Sequence, residues 1–562
     1  MSSTAAQADF WWKNAVVYCL DVETFFDSDG DGCGDLVGLV RRLDHLADLG
    51  VTCLWLMPFY PTADRDDGYD ISDWYGVDDR LGSLGDVVPF VRMARERGMK
   101  VIIDLVVNHT SSDHPWFRSA LEGKDSPHRD YYVWRSDPPP DTSDQVVFPD
   151  EEDSIWTLDE SSGEWYLHRF YAHQPDLNVA NDAVREEITK VMGFWLELGV
   201  DGFRVDAVPF LVTPDHPETQ GHAPDPHDFL RYLREFLSRR KGEAILLGEV
   251  NLPREQQCEY FGGGDGDELD MQFDFVGMQH TYLALAREDA TVLARSLRVR
   301  PAIAQRSQWA SFLRNHDELT LDKLGDAERQ EVFDAFGPDP DMQLYGRGLR
   351  RRLPPMLGEA PDGDQRRLKM AYSLMFSLPG TPVLFYGEEI GMGENLDAPD
   401  RQAVRTPMQW TSGTNGGFST APPDRLPNPV TTGAYGPEHV NVADQTDDPT
   451  SLLAFVSHLA RRYRQSPELG WGALEVLDTP HDHVLAHVVR WEGKVMLALH
   501  ALADRPVTVD VSFADDAHDG TLVDLLDGTR VEVAEDGSAS VELAGYGYRW
   551  LRLRTEQDDR LL

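Results

Sequence analysis

The chain has 562 residues, enough for two or three domains with a large core, and it is 41% hydrophobic and 27% charged, as ordinary globular proteins are. Its formal net charge of −45 disfavours nucleic acid and anionic membranes as partners, because both would repel it. The sequence has no apolar run of about eighteen residues that could cross a membrane, and its first residues lack the features of a secretory signal. We therefore expect a cytoplasmic protein with no membrane partner.

Two further features of the composition bear on the environment of the protein. The four cysteines have neither paired nor metal-binding spacing, which predicts reduced thiols. The acidity is typical of a solvated surface that keeps a protein in solution, and a salt-rich cytoplasm is the alternative explanation.

Apolar strands and amphipathic helices alternate from the start of the chain. This alternation predicts an α/β fold with a (β/α)8 TIM barrel. The predicted strands and helices are a strand at 15–20, a helix at 36–49, a strand at 51–56, a helix near 87–97, a strand at 101–109, a helix at 368–378 and a strand at 382–386.

Two irregular stretches and a change of period divide the chain into domains. Residues 110–175 are rich in Pro, Asp, Ser and Trp, and such an insertion after the third barrel strand is usually functional. We predict the barrel at 1–109 and 176–470, an inserted domain at 110–175 and an irregular lid within the barrel at 319–363. From 471 to 562 the apolar residues alternate and Asp-Gly turns recur, which predicts an antiparallel C-terminal β-sandwich.

The segment DGFRVDA at 201–207 places two charges in a short apolar strand. It follows a predicted helix that Asn181 can cap at its start and Gly199 at its end. Arg204 and Asp206 are two residues apart, so they point to the same side of the strand. A charge removed from water needs a partner or a function. The alternatives are a structural ion pair and a catalytic pair.

Three other apolar strands also end in polar side chains. AILLGEV at 244–250 ends with Glu249, WASFLRNHD at 309–317 ends with Asp317, and VIIDLVVNH at 101–109 ends with Asn108 and His109. Parallel barrel strands meet at their carboxyl ends, so this pattern predicts one acidic site at that face.

An acidic loop, DSDGDGCGD, lies at 27–35 between the first strand and the first helix. Acids at alternate positions, with glycines that let the backbone turn, are typical of a loop that binds calcium through oxygen ligands. The loop lacks the distal glutamate of a full EF-hand, and a plain acidic turn is the alternative.

The segment GRGLRRR at 346–352 contains four arginines. Phosphate binding is one interpretation of this cluster. Because the protein is strongly acidic, we favour pairing with neighbouring carboxylates.

Region for region, the four strand motifs resemble the α-amylase superfamily of retaining glycoside hydrolases and transglycosylases. The resemblance implies that 110–175 is domain B of that superfamily, which closes over the substrate. It further implies that Asp206 is the nucleophile, that Glu249 is the acid and base, and that Asp317 binds sugar hydroxyls. Retention requires two carboxyl groups about 5 Å apart across the scissile bond. Arg204 would keep Asp206 ionised, and His109 and His316 would surround the same sugar.

The resemblance also implies further ligands. Asp70 and Arg405 match an acid and a base that bind the far hydroxyl of a terminal glucose, which favours a disaccharide substrate. Gln174, in HQPDLN at 173–178, is a further substrate-binding candidate. The implied calcium ligands are Asp27, Asp29, Asp31, Asp35 and the Cys33 carbonyl, and a second calcium would bind Asn108 and Asp176. Thr213 stands where a glutamate ligand of that second ion belongs.

Further segments carry a more specific resemblance: RDDGYDI at 65–71, HRFYAHQPDLN at 168–178, FLRNHDELT at 312–320 and GMG at 391–393. With these, residues 10–469 resemble most the trehalose synthase branch, whose members interconvert maltose and trehalose. The expected reaction is an intramolecular glucosyl transfer through a glucosyl-Asp206 intermediate with minor hydrolysis, and an α-glucosidase is the alternative. A non-catalytic sugar-binding relative is disfavoured because all three carboxylates are present. We expect no organic cofactor, and the resemblance implies a homo-oligomer, either a dimer or a tetramer.

Overall fold

A computed structural model describes residues 10–149, 151–211, 226–264, 266–358, 363–513 and 520–554. Its strands are β1 Val17–Leu20, β2 Cys53–Leu56, β3 Lys100–Leu105, β4 Trp134–Arg135, β5 Trp156–Asp159, β6 Glu164–Leu167, β7 Gly202–Val205, β8 Ile245–Gly248, β9 Met271–Phe273, β10 Gln308–Ser311, β11 Leu319–Thr320, β12 Gln343–Leu344, β13 Gly348–Leu349, β14 Thr381–Phe385, β15 Ala473–Val476, β16 Val484–Trp491, β17 Lys494–Ala501, β18 Val507–Ser512, β19 Gly520–Asp524, β20 Arg530–Val533, β21 Ser538–Leu543 and β22 Tyr548–Arg554.

The α-helices of the described residues are α1 Val22–Phe25, α2 Leu36–Leu49, α3 Leu84–Glu96, α4 Pro115–Ala120, α5 Asp182–Leu198, α6 Pro226–Arg240, α7 Arg254–Glu259, α8 Phe275–Arg287, α9 Thr291–Arg298, α10 Asp326–Phe336, α11 Leu353–Leu357, α12 Arg366–Ser377, α13 Val442–Thr446, α14 Leu452–Arg464 and α15 Pro467–Trp471. No described helix is both long enough and apolar enough to cross a membrane.

Eight strands form a closed barrel in the order β1, β14, β10, β9, β8, β7, β3, β2, so the predicted (β/α)8 barrel is confirmed. Two compact units make up the described chain. One comprises the residues up to 18, 45–52 and those from 274 onwards, and the other comprises 19–44 and 53–273.

The unit of residues 19–44 and 53–273 contains the parallel pairs β2–β3, β3–β7, β7–β8 and β8–β9. In the predicted insertion, β4, β6 and β5 form a three-stranded antiparallel sheet with a small core of Ile155, Trp156 and Leu167. The stretch that we predicted to be irregular therefore has a sheet of its own.

The other unit contains the parallel pair β10–β14 and a small antiparallel sheet, β11–β13–β12, inside the predicted lid. Its C-terminal part has a six-stranded sheet, β15–β16–β17–β22–β19–β20, and a two-stranded sheet, β18–β21. Apolar side chains from both sheets form one core, which includes Val488, Leu497, Val509 and Val541. The predicted antiparallel C-terminal sheet domain is confirmed.

Local sequence signals explain the helix that precedes the candidate nucleophile. The Asn181 side chain accepts a hydrogen bond from the Ala183 amide at 2.9 Å, which caps the start of α5. At its end Gly199 adopts the left-handed conformation, with φ of 109°. Both caps were predicted. The four cysteines are free, in agreement with the expectation of reduced thiols.

Candidate active site

Strand β7 presents Arg204 and leads directly to Asp206. Every residue of β7 is buried, and Arg204 is only 1% exposed. Gly202 has φ of 153°, and a Cβ there would lie 2.5 Å from the Ile245 carbonyl oxygen. The close approach of β7 and β8 therefore requires glycine at this position.

The guanidinium of Arg204 contacts three carboxylates. Nη1 donates to Asp104 Oδ1 at 2.7 Å and to Asp206 Oδ1 at 2.5 Å, and Nη2 lies 2.8 Å from Glu249 Oε2. Burial opposes the charge on Arg204, but the nearby negative charges, that of Glu249 first, outweigh it and hold its pKa well above the usual value. Arg204 therefore stays charged and links the candidate nucleophile to the candidate acid.

Asp104 is a member of this cluster that sequence reasoning missed. It lies beside Arg204 in the β3–β7 register and also accepts a hydrogen bond from Trp55 Nε1 at 2.7 Å. Burial raises its pKa to about 6, although both donors oppose the shift. An acid inside an apolar strand was the available signal, because a buried charge needs a partner.

The backbone after Asp206 is strained and contacts Glu249. Ala207 adopts the left-handed conformation, with φ of 48° and ψ of 38°, which is uncommon for a residue other than glycine. Its amide donates to Glu249 Oε2 at 3.2 Å, and the Val208 amide donates to the Glu249 carbonyl at 3.2 Å. This turn fixes Asp206 and Glu249 relative to each other.

Two of the predicted sugar-binding side chains are buried within the same unit as Asp206. His109 Nε2 lies 3.2 Å from the Tyr69 carbonyl oxygen, so that nitrogen carries the hydrogen. Burial lowers the pKa of His109 to about 4, which keeps the ring neutral. Gln174 donates from Nε2 to Asp66 Oδ2 at 2.8 Å.

Asp70 is completely buried in this unit. Its Oδ1 accepts a hydrogen bond from the Thr62 hydroxyl at 2.7 Å. Its Oδ2 is also buried and has no hydrogen-bond partner among the described residues. Burial raises the pKa of this carboxyl group. A hydroxyl group of a ligand would satisfy such an oxygen.

Asp317 belongs to the other unit, where three cationic or polar side chains surround it. Arg401 Nη1 and Arg405 Nη2 donate to Asp317 Oδ1 at 2.8 and 3.0 Å, and His316 Nε2 lies 3.3 Å from Oδ2. Arg405 also donates from Nε to the His316 carbonyl at 2.8 Å. Sequence reasoning missed Arg401, which lies one helical turn before the predicted Arg405.

Of the four arginines of 346–352, two pair with carboxylates, as we favoured, and two bind backbone carbonyl oxygens instead. Arg347 donates to Glu318 and Arg351 to Glu394, at 2.9 and 2.5 Å. Arg350 and Arg352 donate their side chains to backbone carbonyl oxygens.

Three of the predicted calcium ligands converge in the acidic loop. Oxygen atoms of Asp27, Asp29 and Asp35 lie within 4.8 Å of one another. The Asp31 carboxylate does not belong to this group and instead accepts a hydrogen bond from the Cys33 amide at 2.8 Å. Clustered carboxylates are ligands that suit calcium, so the residues fit the ion.

The candidate ligands of a second calcium ion are arranged differently. Asp176 Oδ1 accepts hydrogen bonds from Asn108 Nδ2 at 3.3 Å and from the Arg169 amide at 3.0 Å, and Oδ2 lies 3.8 Å from Arg169 Nε. Burial raises the pKa of Asp176 to about 7. Backbone amides donate to Asp27 and Asp35 in the acidic loop as well, and the second calcium site stays a prediction. Thr213 lies outside the described residues.

A closed parallel barrel with carboxyl groups after two adjacent strands, β7 and β8, is the arrangement of a barrel enzyme with its site at the carboxyl ends of the strands, and paired carboxyl groups are what retaining glycoside hydrolases use. Comparison with known families makes the assignment specific. The model of the alpha amylase catalytic domain matches residues 21–331 and 350–472, and that of the sucrose hydrolase-like C-terminal domain matches 493–552. The chain belongs to the α-amylase family.

Individual relatives agree with this assignment. A trehalose synthase of Thermus thermophilus is 45% identical over 88% of this chain, which spans 50% of that relative's length. The trehalose synthase/amylase TreS of Mycobacterium tuberculosis is 40% identical over 99% of this chain and 92% of its own length. Among solved structures, the trehalulose synthase MutB of Pseudomonas mesoacidophila MX-45 superimposes with a TM-score of 0.76 at 26% identity, covering 97% of this chain and 99% of MutB.

Proposed function

We propose that the chain interconverts maltose and trehalose by intramolecular glucosyl transfer. The observation that carries the proposal is the bridge from Arg204 to both Asp206 and Glu249, in a chain related to trehalose synthases over most of its length. Asp206 is the carboxylate that forms the glucosyl ester, and Glu249 is the acid that serves the leaving group.

The reaction has two displacements. In the first, Asp206 Oδ attacks the anomeric carbon, the glycosidic C–O bond breaks, and Glu249 gives its proton to the departing oxygen. In the second, the released glucose turns and attacks through its anomeric hydroxyl, whose proton returns to Glu249 as the ester bond to Asp206 breaks. The configuration at the transferred carbon is retained, and no atom is gained or lost.

The sugar-binding roles are part of the same proposal. Asp70 would accept a hydrogen bond from a terminal glucose hydroxyl through the buried Oδ2, and His109 would lie beside the same sugar. By its motif, Asp317 binds hydroxyls of the reacting sugar, and Arg401 and Arg405 hold its carboxylate through Oδ1. Interactions that strengthen as the ring flattens accelerate the reaction.

The test is to incubate the purified protein with maltose, and separately with trehalose, and to follow the sugars by anion-exchange chromatography. We expect each disaccharide to give the other with little glucose. Glucose alone, from either sugar, would mean that water intercepts the glucosyl ester and that the protein is an α-glucosidase. The Asp206→Asn protein, purified in the same way, controls for contaminating activity.

We further propose that the loop at 27–35 binds a structural calcium ion through Asp27, Asp29 and Asp35. The proposal is supported by the convergence of their oxygen atoms, and the ion would cross-link the loop.

We also propose that the protein is cytoplasmic and that it forms a homo-oligomer. Light scattering after size-exclusion chromatography tests the oligomeric state.

A further inference from the structure

Three consecutive arginines, Arg350, Arg351 and Arg352, are named the arginine segment here. They lie between β13 and α11, in the unit that contains Asp317. Ion pairing accounts for only some of the contacts that the arginine segment makes. All three arginines form hydrogen bonds to one neighbouring loop, residues 394–405, through their side chains and, for Arg352, also through its backbone amide.

The side chain of Arg350 binds backbone carbonyl oxygens in the middle of this loop. Nη1 donates to the Ala398 carbonyl at 2.6 Å, Nη2 donates to the Leu396 carbonyl at 2.9 Å, and Nε donates to the Asp341 carbonyl at 2.6 Å. Among the described residues, Arg350 forms no ion pair with a carboxylate. The planar guanidinium group of Arg350 donates to carbonyl oxygens in fixed directions. Arg350 therefore determines the position of the loop.

Arg352 binds the end of the loop, and Arg351 and Arg352 together bind Glu394 at its start. Arg352 is 1% exposed, and its Nε and Nη2 donate to the Val404 carbonyl at 3.0 and 2.7 Å. The two Glu394 oxygens accept from Arg351 Nε at 2.5 Å and from the Arg352 amide at 2.8 Å. The arginine segment therefore fixes the loop at three points.

The loop carries the two cations that contact Asp317. Arg401 belongs to a short 3-10 helix, Asp400–Val404, which begins at a residue with φ of 40°, and Arg405 follows directly. Both arginines donate to Asp317 Oδ1. Arg314 donates to the Asp317 carbonyl and to the Arg351 carbonyl, at 2.6 Å each.

We propose that the arginine segment positions Asp317 for the transition state, and that Arg350 is a positioning residue that acts through the loop at 394–405. The proposal rests on the sugar-binding role proposed above for Asp317. Two arginines on Oδ1 fix the direction in which Oδ2 points. A displacement of about 1 Å in a positioned group can cost about 100-fold in rate. Because Asp317 binds most strongly in the transition state, loosening it lowers kcat more than it changes KM.

The first experiment compares Arg350→Ala and Arg350→Lys with wild type, using maltose. We expect kcat to fall by about 30- to 100-fold while KM changes by less than about threefold. In Arg350→Lys the charge and most of the aliphatic side chain remain, but the ammonium group cannot bind three carbonyl oxygens. This variant should therefore fold as wild type does while its kcat stays low. The matched control is Arg329→Ala. Arg329 pairs with Asp326 on α10 and should leave both constants unchanged.

A double-mutant cycle separates positioning from a general loss of stability. We measure Arg350→Ala in wild-type and Asp317→Asn backgrounds with 4-nitrophenyl α-glucoside, whose good leaving group keeps weak activity measurable. The loss should be large in wild type and below about twofold in Asp317→Asn, because coupled residues are not additive. An equal loss in both backgrounds, or no loss in wild type, overturns the proposal.

The same experiment distinguishes the two levels of the argument. If Asp317→Asn reacts at the wild-type rate, Asp317 has no role for the segment to support, and the positioning proposal fails with it. If wild type forms no trehalose from maltose but Arg350→Ala still lowers glucose release in a way that depends on Asp317, the proposed isomerisation fails and the positioning proposal stands.

Discussion

Arg204 faces both carboxyl groups whose charge changes during the proposed reaction. When Asp206 forms the ester, its negative charge is lost, and when Glu249 gives up its proton, a negative charge appears there. Because Arg204 contacts both groups and also Asp104, the number of carboxylates opposite it stays constant through the first displacement. A fixed, buried cation stabilises this exchange without reorganising.

Asp206→Asn should abolish turnover and leave the fold intact. The amide cannot form the ester, while its oxygen can still accept from Arg204, so we expect kcat for maltose to fall by about 10⁴-fold or more. Thermal unfolding should change little. Asp228→Asn removes an exposed partner of Arg231 and serves as the control. A normal rate in Asp206→Asn would end the assignment of the nucleophile.

At the residue scale, the sequence predicted side chains that are close along one strand, and it missed partners from distant parts of the chain. The same-side placement of Arg204 and Asp206 follows from a period of two. The pairing of Arg204 with Asp104 depends on the β3–β7 register, across a separation of 100 residues. Arg401 contacts Asp317 across a separation of 84 residues, and no local pattern encodes that contact.

At the scale of a single loop, calcium should stabilise the protein through Asp27, Asp29 and Asp35. After treatment with EDTA, added Ca²⁺ should raise the unfolding temperature, since a ligand that binds only the folded state at about 100 times its Kd contributes about 2.7 kcal/mol. Asp29→Asn removes one charge but keeps the acceptor for the Asp31 amide, and it should weaken the response. Asp137→Asn, an exposed change elsewhere, should respond as wild type does. An equal response in Asp29→Asn would exclude this loop.

Two buried histidines of the C-terminal sheet should make the protein sensitive to acid. His487 and His500, on β16 and β17, are stacked 6.4 Å apart and lie against α12, where their Nε2 atoms contact the Ser377 carbonyl and the Ser373 hydroxyl. Burial lowers the pKa of His487 to about 4 and that of His500 well below its usual value. Between pH 6.5 and 4 the unfolded chain binds more protons. Stability should therefore fall as the pH is lowered through that window, by about 3 kcal/mol for His487 alone.

The measurement is the free energy of unfolding in urea at several values of pH from 4 to 7. His487→Gln keeps a donor for the Ser377 carbonyl and should flatten the pH dependence. His481→Gln is the matched control, because this histidine sits near the surface and contacts the Thr508 carbonyl. Identical pH dependence in wild type and His487→Gln would contradict the assignment.

At the scale of helices and strands, signals within a few residues were sufficient for helices α2 and α5. Helix α2 has the predicted bounds, and the caps of α5 are Asn181 and Gly199 as expected. The sheet of β4, β5 and β6 was not predicted. Its strands are two to four residues long and partly exposed, so they contain too few apolar positions to show a period.

At the scale of the whole molecule, the arrangement of the C-terminal domain could not be predicted beyond its β character. Alternating apolar residues identify strands such as β18, but strand order depends on contacts distant in sequence. Strand β22 pairs with both β17 and β19, and Trp550 on it donates to Ser373 of α12 at 3.0 Å. The boundaries of the inserted domain and the lid stay predictions.

The overall charge leads to a prediction about salt. The chain has 97 acidic and 52 basic residues, and a net charge of −45 destabilises the folded state through repulsion between surface groups. Raising NaCl from about 10 mM to 1 M shortens the Debye length from about 30 Å to 3 Å, so the unfolding temperature should rise, by about 1 °C for each kcal/mol gained in a chain of 562 residues. The cluster around Arg204 is buried and screened much less, so kcat should change far less than stability does.

A control with sodium sulfate at equal ionic strength, with calcium held constant, separates the screening of charges from the exclusion of salt from the protein surface. Equal effects of the two salts identify screening, whereas a flat or falling unfolding temperature in NaCl would show that repulsion is not what limits the stability of this protein.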